Sequence, residues 1–304
     1  YVSGIAALMN QAYMEKVGFV SLRNSTSKAI LIHTADDMID EIGFAGSELS
    51  DVKAATGKSV RVTYGKGPDF VTGWGGVNAE NALKMFESYN DVKKVFNRFR
   101  EFDVEIGESV GKRFFVNVNN FMERLRLTLT WDDPFGADSK KRLVNDLDMY
   151  LVSPTGKYYF PWRLEPLPIK CVNSNQAFEG VCLDNKEYIT ETDVKQYAVR
   201  ECSSGSVSDK NCFDNYNNVE VVDVDFPEKG KWTIVIRATS VGEGVGEDKK
   251  IQTASIASDL EFDDSPGNVG CEIEHPYQPL SSLSCSYDFG ISLTNFVTFS
   301  NKTF

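Results

Sequence analysis

The 304-residue chain has no apolar run approaching the roughly 18 to 20 residues that cross a bilayer, and no signal-peptide pattern opens it. It also lacks clustered lysine and arginine: 32 basic residues stand against 44 acidic ones, for a formal charge of −12. Phosphate backbones need the opposite balance, so nucleic acid is excluded as a partner. Histidine is scarce. His33 has Asp36 and Asp37 within a helical turn, but a triad needs its nucleophile and orienting acid to arrive at the base from different directions, so His33 and His275 both read as surface residues. No two cysteines show C-x-x-C spacing, which removes the usual zinc pattern.

What is present suits a folded, mainly β chain. Hydrophobic residues make up 41% and charged residues 25%, enough for a substantial core. The six cysteines, Cys171, Cys182, Cys202, Cys212, Cys271 and Cys285, all lie in the second half. Six allow about 15 pairings; the simplest joins neighbours, Cys171 to Cys182, Cys202 to Cys212 and Cys271 to Cys285. An oxidising, secreted or lumenal setting follows. With Tyr rather than Met at position 1, the chain is expected to be a piece of a longer protein.

In chain order, residues 1–17 carry apolar side chains around most of a helical girth, which predicts a central, buried helix ending at Gly18. A second helix is expected from a Ser25 or Ser27 cap to Ala35, and a third from Val77 or Asn78 to Phe86. Strand character then takes over. In Leu125–Trp131, leucines alternate with Arg126, Thr128 and Thr130, which predicts one face in a core and one in water. Leu147, Met149 and Leu151 repeat the pattern, and Asp132-Asp133-Pro134-Phe135-Gly136 supplies turn residues, so 125–156 reads as a β-hairpin. Val222 and Val224 should lie on one strand, with Trp232, Ile234 and Ile236 on the next, across a Pro227–Gly230 turn. A last strand is expected around Ile251–Phe262. Strands at this spacing argue a β-sandwich.

Tyr1-Val2-Ser3-Gly4-Ile5-Ala6-Ala7-Leu8 resembles the helix directly behind the nucleophile in subtilisin-like serine proteases. Lys28-Ala29-Ile30-Leu31-Ile32 and the Gly73-Trp74-Gly75-Gly76-Val77-Asn78-Ala79 turn resemble the next two pieces of that family's catalytic domain, in order. Leu129–Asp133, Asn145–Tyr150 and Asp214–Glu220 resemble blocks of the jelly-roll domain that follows in larger members. The resemblance spans roughly 1–262. It implies the end of an α/β catalytic domain at 1–89, a jelly-roll β-sandwich at 90–262 with a cysteine-rich insertion at 162–213, and a tail at 263–304 without counterpart. It also implies a secreted serine endopeptidase acting on proteins or peptides, with its Ser, His and Asp upstream of Tyr1. This chain then holds no catalytic residue, its partner is the upstream catalytic domain, and alone it should be inactive. The alternative is a non-catalytic binding or adhesion module of a degenerate subtilase.

Clustered acids at strand ends suggest a structural calcium ion, which takes hard oxygen ligands in loose geometry. The candidates are Asp132, Asp146, Asp148, Asn217 and Glu220, with Asp133, Asn145 and Asn218 beside them. The blander expectation is that these groups accept backbone hydrogen bonds in turns. Asn24 and Asn301 begin glycosylation sequons. Melting with and without chelator tests the calcium expectation: a bound ion predicts a lower midpoint in chelator, and an unchanged midpoint argues against one.

Overall fold

A computed structural model describes residues 1–38, 61–63, 66–69, 72–105, 112–134, 143–164, 177–178, 181–182, 193–195, 198–200, 202, 204–241, 251–264, 270–272 and 284–286. By contact density the chain divides into Tyr1–Phe262 and Asp263–Phe304. In the second unit the described backbone is one antiparallel pair, Gly270–Glu272 with Ser284–Ser286, in which Cys271 lies opposite Cys285.

The first unit opens with three helices: α1 (Val2–Val17), α2 (Asn24–His33) and α3 (Ala79–Lys84). Beside short two-stranded pairs, eight strands make up the two main sheets: β1 (Phe99–Glu105), β2 (Lys112–Val118), β3 (Arg124–Trp131), β4 (Asn145–Val152), β5 (Tyr158–Tyr159), β6 (Val219–Asp225), β7 (Gly230–Val241) and β8 (Ile251–Ser258). They form two four-stranded antiparallel sheets. Sheet I has the order β6-β3-β8-β1 and sheet II the order β2-β7-β4-β5. The alternating apolar residues of both sheets meet in one core. Leu125, Leu127, Leu129 and Trp131 of β3 lie there with Leu147, Met149 and Leu151 of β4 and with Trp232, Ile234 and Ile236 of β7.

The expected hairpin at 125–156 is therefore corrected. β3 pairs with β6 and β8, whereas β4 pairs with β7 and β5, so the two strands belong to different sheets. The same holds across Pro227–Gly230: β6 is in sheet I and β7 in sheet II. Alternation in a sequence reports which side chains are buried, not which strand accepts the backbone bonds, and here the chain crosses the core at both turns. Of the consecutive strand pairs, β4 and β5 do stay in one sheet.

The polar face of β3 is not wet either. Arg126, Thr128 and Thr130 are all buried, because α2 lies across β3 and β8 on the outer side of sheet I. α1 differs from expectation in the opposite sense. Ile5 and Met9 are buried in a second cluster with Ala29, Ile30, Met85, Phe86, Phe96 and Phe99, while Val2 and Leu8 stay half exposed. Only one flank of α1 has packing partners among the described residues. Beyond α2, Asp36 forms a bridge with Gly76, each backbone N–H donating to the other residue's carbonyl at 2.9 and 2.8 Å. The neighbouring Gly75 has φ +109, and a Cβ there would sit 2.1 Å from the Asp36 carbonyl oxygen, so that turn requires glycine.

Leu127 is fully buried between the sheets. Leu127→Ala should cost about 2–5 kcal/mol, read as a lower urea midpoint with an unchanged slope.

Candidate functional site

The joint between α2 and sheet I concentrates the buried polar chemistry of the first unit. At its N-terminal end α2 has no side-chain cap of its own, since the N-cap position is Arg23 rather than the expected Ser25 or Ser27. Asp132 supplies the cap from the end of β3: its Oδ2 accepts the Ser25 N–H at 3.2 Å. Ser25 Oγ and Thr26 Oγ1 lie 3.0 and 2.9 Å from Ser255 Oγ of β8, and Thr26 also donates to Glu101. Thr130 donates to the Ser25 carbonyl at 2.6 Å. Lys28 Nζ donates to Asn218 Oδ1, and Asn218 Nδ2 donates to the Trp131 carbonyl at 2.8 Å.

At the C-terminal end stands His33, which is fully buried rather than on the surface as expected. Its Nδ1 is 3.1 Å from Thr128 Oγ1 and its Nε2 is 3.3 Å from Asp259 Oδ1. Burial pushes the His33 pKa below 6.5, and Asp259 only partly restores it. Hydroxyl, imidazole and carboxylate are thus in line, but Thr128 is sealed in the interface, where no substrate carbonyl can approach a nucleophile. The line is a fastening, not a triad.

Beneath it, Arg126 forks onto Asp223 with two bonds of 2.8 Å, and Trp162 Nε1 donates to the same carboxylate at 2.7 Å. The Arg126 backbone N–H donates to Asp259 at 2.7 Å. Burial works to raise the Asp223 pKa, but Arg126 and Trp162 prevail and hold it below the usual carboxylate value. Two clefts border this joint. One of about 450 Å³ is lined by His33, Asp36, Asp37, Arg98, Arg124 and Asp259; the other, of about 790 Å³, shares Arg124 and Asp259 and extends to Phe226.

Of the acids expected to hold calcium, Asp132, Asp133, Asp148 and Glu220 each meet a different protein donor. Asp132 caps α2. Asp133 accepts the Val144 and Asn145 N–H groups, both at 2.8 Å. Asn145 donates to Gln252 at 2.6 Å. Asp148 pairs with Arg237 at 3.2 Å, and Asp146 stands on the same outer face of β4, partly buried. Asn217 donates to Asp214, which also accepts the Tyr216 and Asn217 N–H groups and so closes the 214–217 turn. Glu220 is the unusual member. It points inward from β6, fully buried, and its two oxygens accept the Met149 N–H of β4 and the Asp214 N–H, so that it bridges the two sheets.

Burial, and then the nearby Asp148 charge, raise the Glu220 pKa well above 4.5. The folded chain then holds its proton longer than the unfolded one. This contribution to stability is complete below about pH 4.5 and is lost as pH rises through the raised value.

Among the described residues, the metal-ligand group with three atoms mutually close is Cys202, Asp209 and Cys212. Cys202 and Cys212 are joined in a disulfide, so their sulfurs offer no thiolate. Among the described residues no cysteine is free. Cys171 and Asn301 lie outside the described residues, as does the side chain of Cys182; Asn24 is exposed at the start of α2, while Thr26 of its sequon is buried.

His33, Thr128, Arg126, Asp223, Trp162 and Asp259 form the site that sequence reasoning missed. A signal existed for His33, because Ser25, Thr26, Ala29, Ile30 and His33 follow helical spacing and are together the buried face of α2. For Arg126 and Asp223 there was none, since they face each other only through the β3–β6 register.

No protein-family model matches the chain, and no curated protein does. Among solved structures there is a likeness to CorA, a surface-associated copper-binding protein important in copper acquisition in Methylomicrobium album BG8. The identity is 9% over 54% of this chain and 93% of that one, with a TM-score of 0.28. A likeness that weak carries no argument about fold or ligand.

Arg126→Met leaves the Asp223 carboxylate buried without its charge partner and should destabilise the chain by about 3–5 kcal/mol. The double variant Arg126→Met/Asp223→Leu should recover much of that loss in the same urea melts.

Proposed function

We propose that this chain is the carboxy-terminal portion of a secreted subtilisin-like serine endopeptidase, in which α1–α3 close the catalytic domain and the β-strands form a jelly roll that steadies it. The Ser, His and Asp of the reaction belong to the part preceding Tyr1. One observation carries this reading: residues of the jelly-roll-like sequence blocks are among those that fasten the protease-like helix α2. Asp132 caps it, Thr130 binds its Ser25 carbonyl, and Asn218 receives its Lys28.

The strand order supports the sandwich half of the reading. All consecutive strands alternate between sheets except β4 and β5, giving 1-8-3-6 against 2-7-4-5, the winding of two Greek keys in a jelly roll. The Cys202–Cys212 disulfide suits an oxidising compartment. Among the described residues no helix is long and apolar enough to cross a membrane.

In this role the sandwich contributes position rather than chemistry. The helix behind a nucleophile sets where its oxygen points, and misplacement by about 1 Å costs on the order of 100-fold in rate. A polypeptide carrying this chain with the residues preceding Tyr1 should react with a fluorophosphonate probe at one serine and cleave a denatured protein, while this chain alone should do neither. A longer polypeptide that folds but shows neither labelling nor cleavage would instead favour a binding or adhesion module.

A further inference from the structure

His33 does more in this fold than fill space. It is the last residue of α2, and it reaches sheet I through Thr128 on β3 and Asp259 just past β8. The tautomer that uses both contacts carries its proton on Nε2, toward Asp259, and accepts the Thr128 hydroxyl at Nδ1. The Thr128 hydroxyl makes no other hydrogen bond among the described residues, so a second ring proton would reverse the one contact it has.

The charges around the ring are mixed. From β3 come Arg126 and, at its first residue, Arg124; from the approach to β1 comes Arg98. Asp259 faces the ring directly, and its other oxygen is already held by the Arg126 N–H. Across the cleft stand Asp36 and Asp37 from the segment after α2, with Lys84 from α3. Burial and the nearby arginines therefore oppose a charged ring, and Asp259 alone makes direct contact to favour it. The Asp259 side chain is 21% exposed into this cleft, so a proton can arrive without prior unfolding.

We propose that His33 is an acid-operated latch: neutral, it holds the C-terminal end of α2 on sheet I; protonated, it lets that end go. The latch stands whether or not the chain belongs to a peptidase. A reporter is built in, because Ile32, beside His33, packs with Trp74 against the cluster of Trp162, Val219 and Val221. Released, the histidine returns toward its ordinary value of 6.5, above its docked value. The docked state binds fewer protons in that window. The ratio of docked to released helix is therefore flat above about pH 6.5 and falls by about tenfold per pH unit below it, until the docked value is reached. Asp223 and Asp259, both held below 3.8, act only at lower pH, so their contribution is separate.

The test is an acid titration of the 304-residue chain followed by tryptophan emission and far-ultraviolet circular dichroism. The expected result is a red shift in emission below pH 6.5, approaching a one-proton slope, ahead of loss of β signal. His33→Gln should remove that shift down to about pH 4.5. A His33→Gln variant that keeps the wild-type midpoint and amplitude would overturn the latch. Should the variant not fold, imidazole NMR of the wild-type chain decides, since the sequence has two histidines. A His33 ring that takes up its proton together with the emission change supports the proposal; one that titrates at or above 6.5 with unchanged emission refutes it.

Discussion

Burying both faces of an antiparallel sheet obliges its outward-pointing polar side chains to find partners inside the protein, and sheet I is built under that obligation. An antiparallel sheet usually wets one face. Here α2 covers it over β3 and β8 and Trp162 packs over β6, so Arg126, Thr128, Thr130, Asp223 and Ser255 would each carry a desolvation penalty if left alone. Each instead meets a specific partner. The bidentate Arg126–Asp223 pair with Trp162, and the hydroxyl contacts of Ser25 and Thr26, give the joint a fixed register rather than a greasy, slidable contact.

The carboxylates gathered where β3 ends and β6 begins follow the same logic with different chemistry. Asp132 turns its charge on the N-terminus of α2, where unsatisfied N–H groups and the helix dipole both favour an anion. Glu220 instead accepts the Met149 N–H of β4 in sheet II. Of the acids that suggest a cation in the sequence, Asp132, Asp133 and Glu220 are engaged by backbone donors and Asp148 by Arg237. Buried His33 and Glu220 act in opposite senses: His33 favours folding at higher pH, and Glu220 favours it at lower pH.

Much of the first unit was legible beforehand because periodicity is a local property. The three helices fall close to where spacing and caps place them, and Asn78 caps α3 through the Asn81 N–H at 2.9 Å. The inward residues of β3, β4 and β7 were readable from alternation alone. The candidate site was far less so. His33 looked like a surface residue because its partners, Thr128 and Asp259, lie 95 and 226 positions away in sequence.

The sequence by itself determined the inventory: mainly β character after three helices, which side chains of the strands face a core, and an excess of acids over bases. The tertiary structure alone decided the pairing. Alternation at period two is the same for a hairpin and for an arch that crosses between sheets, so only the assembled strands could separate β3 from β4. Likewise, a threonine or arginine on the polar side of a strand has the same local pattern whether water or a helix lies above it. What covers that face depends on residues about a hundred positions away, and it is this cover that turns polar surface into a buried, partnered and pH-sensitive joint.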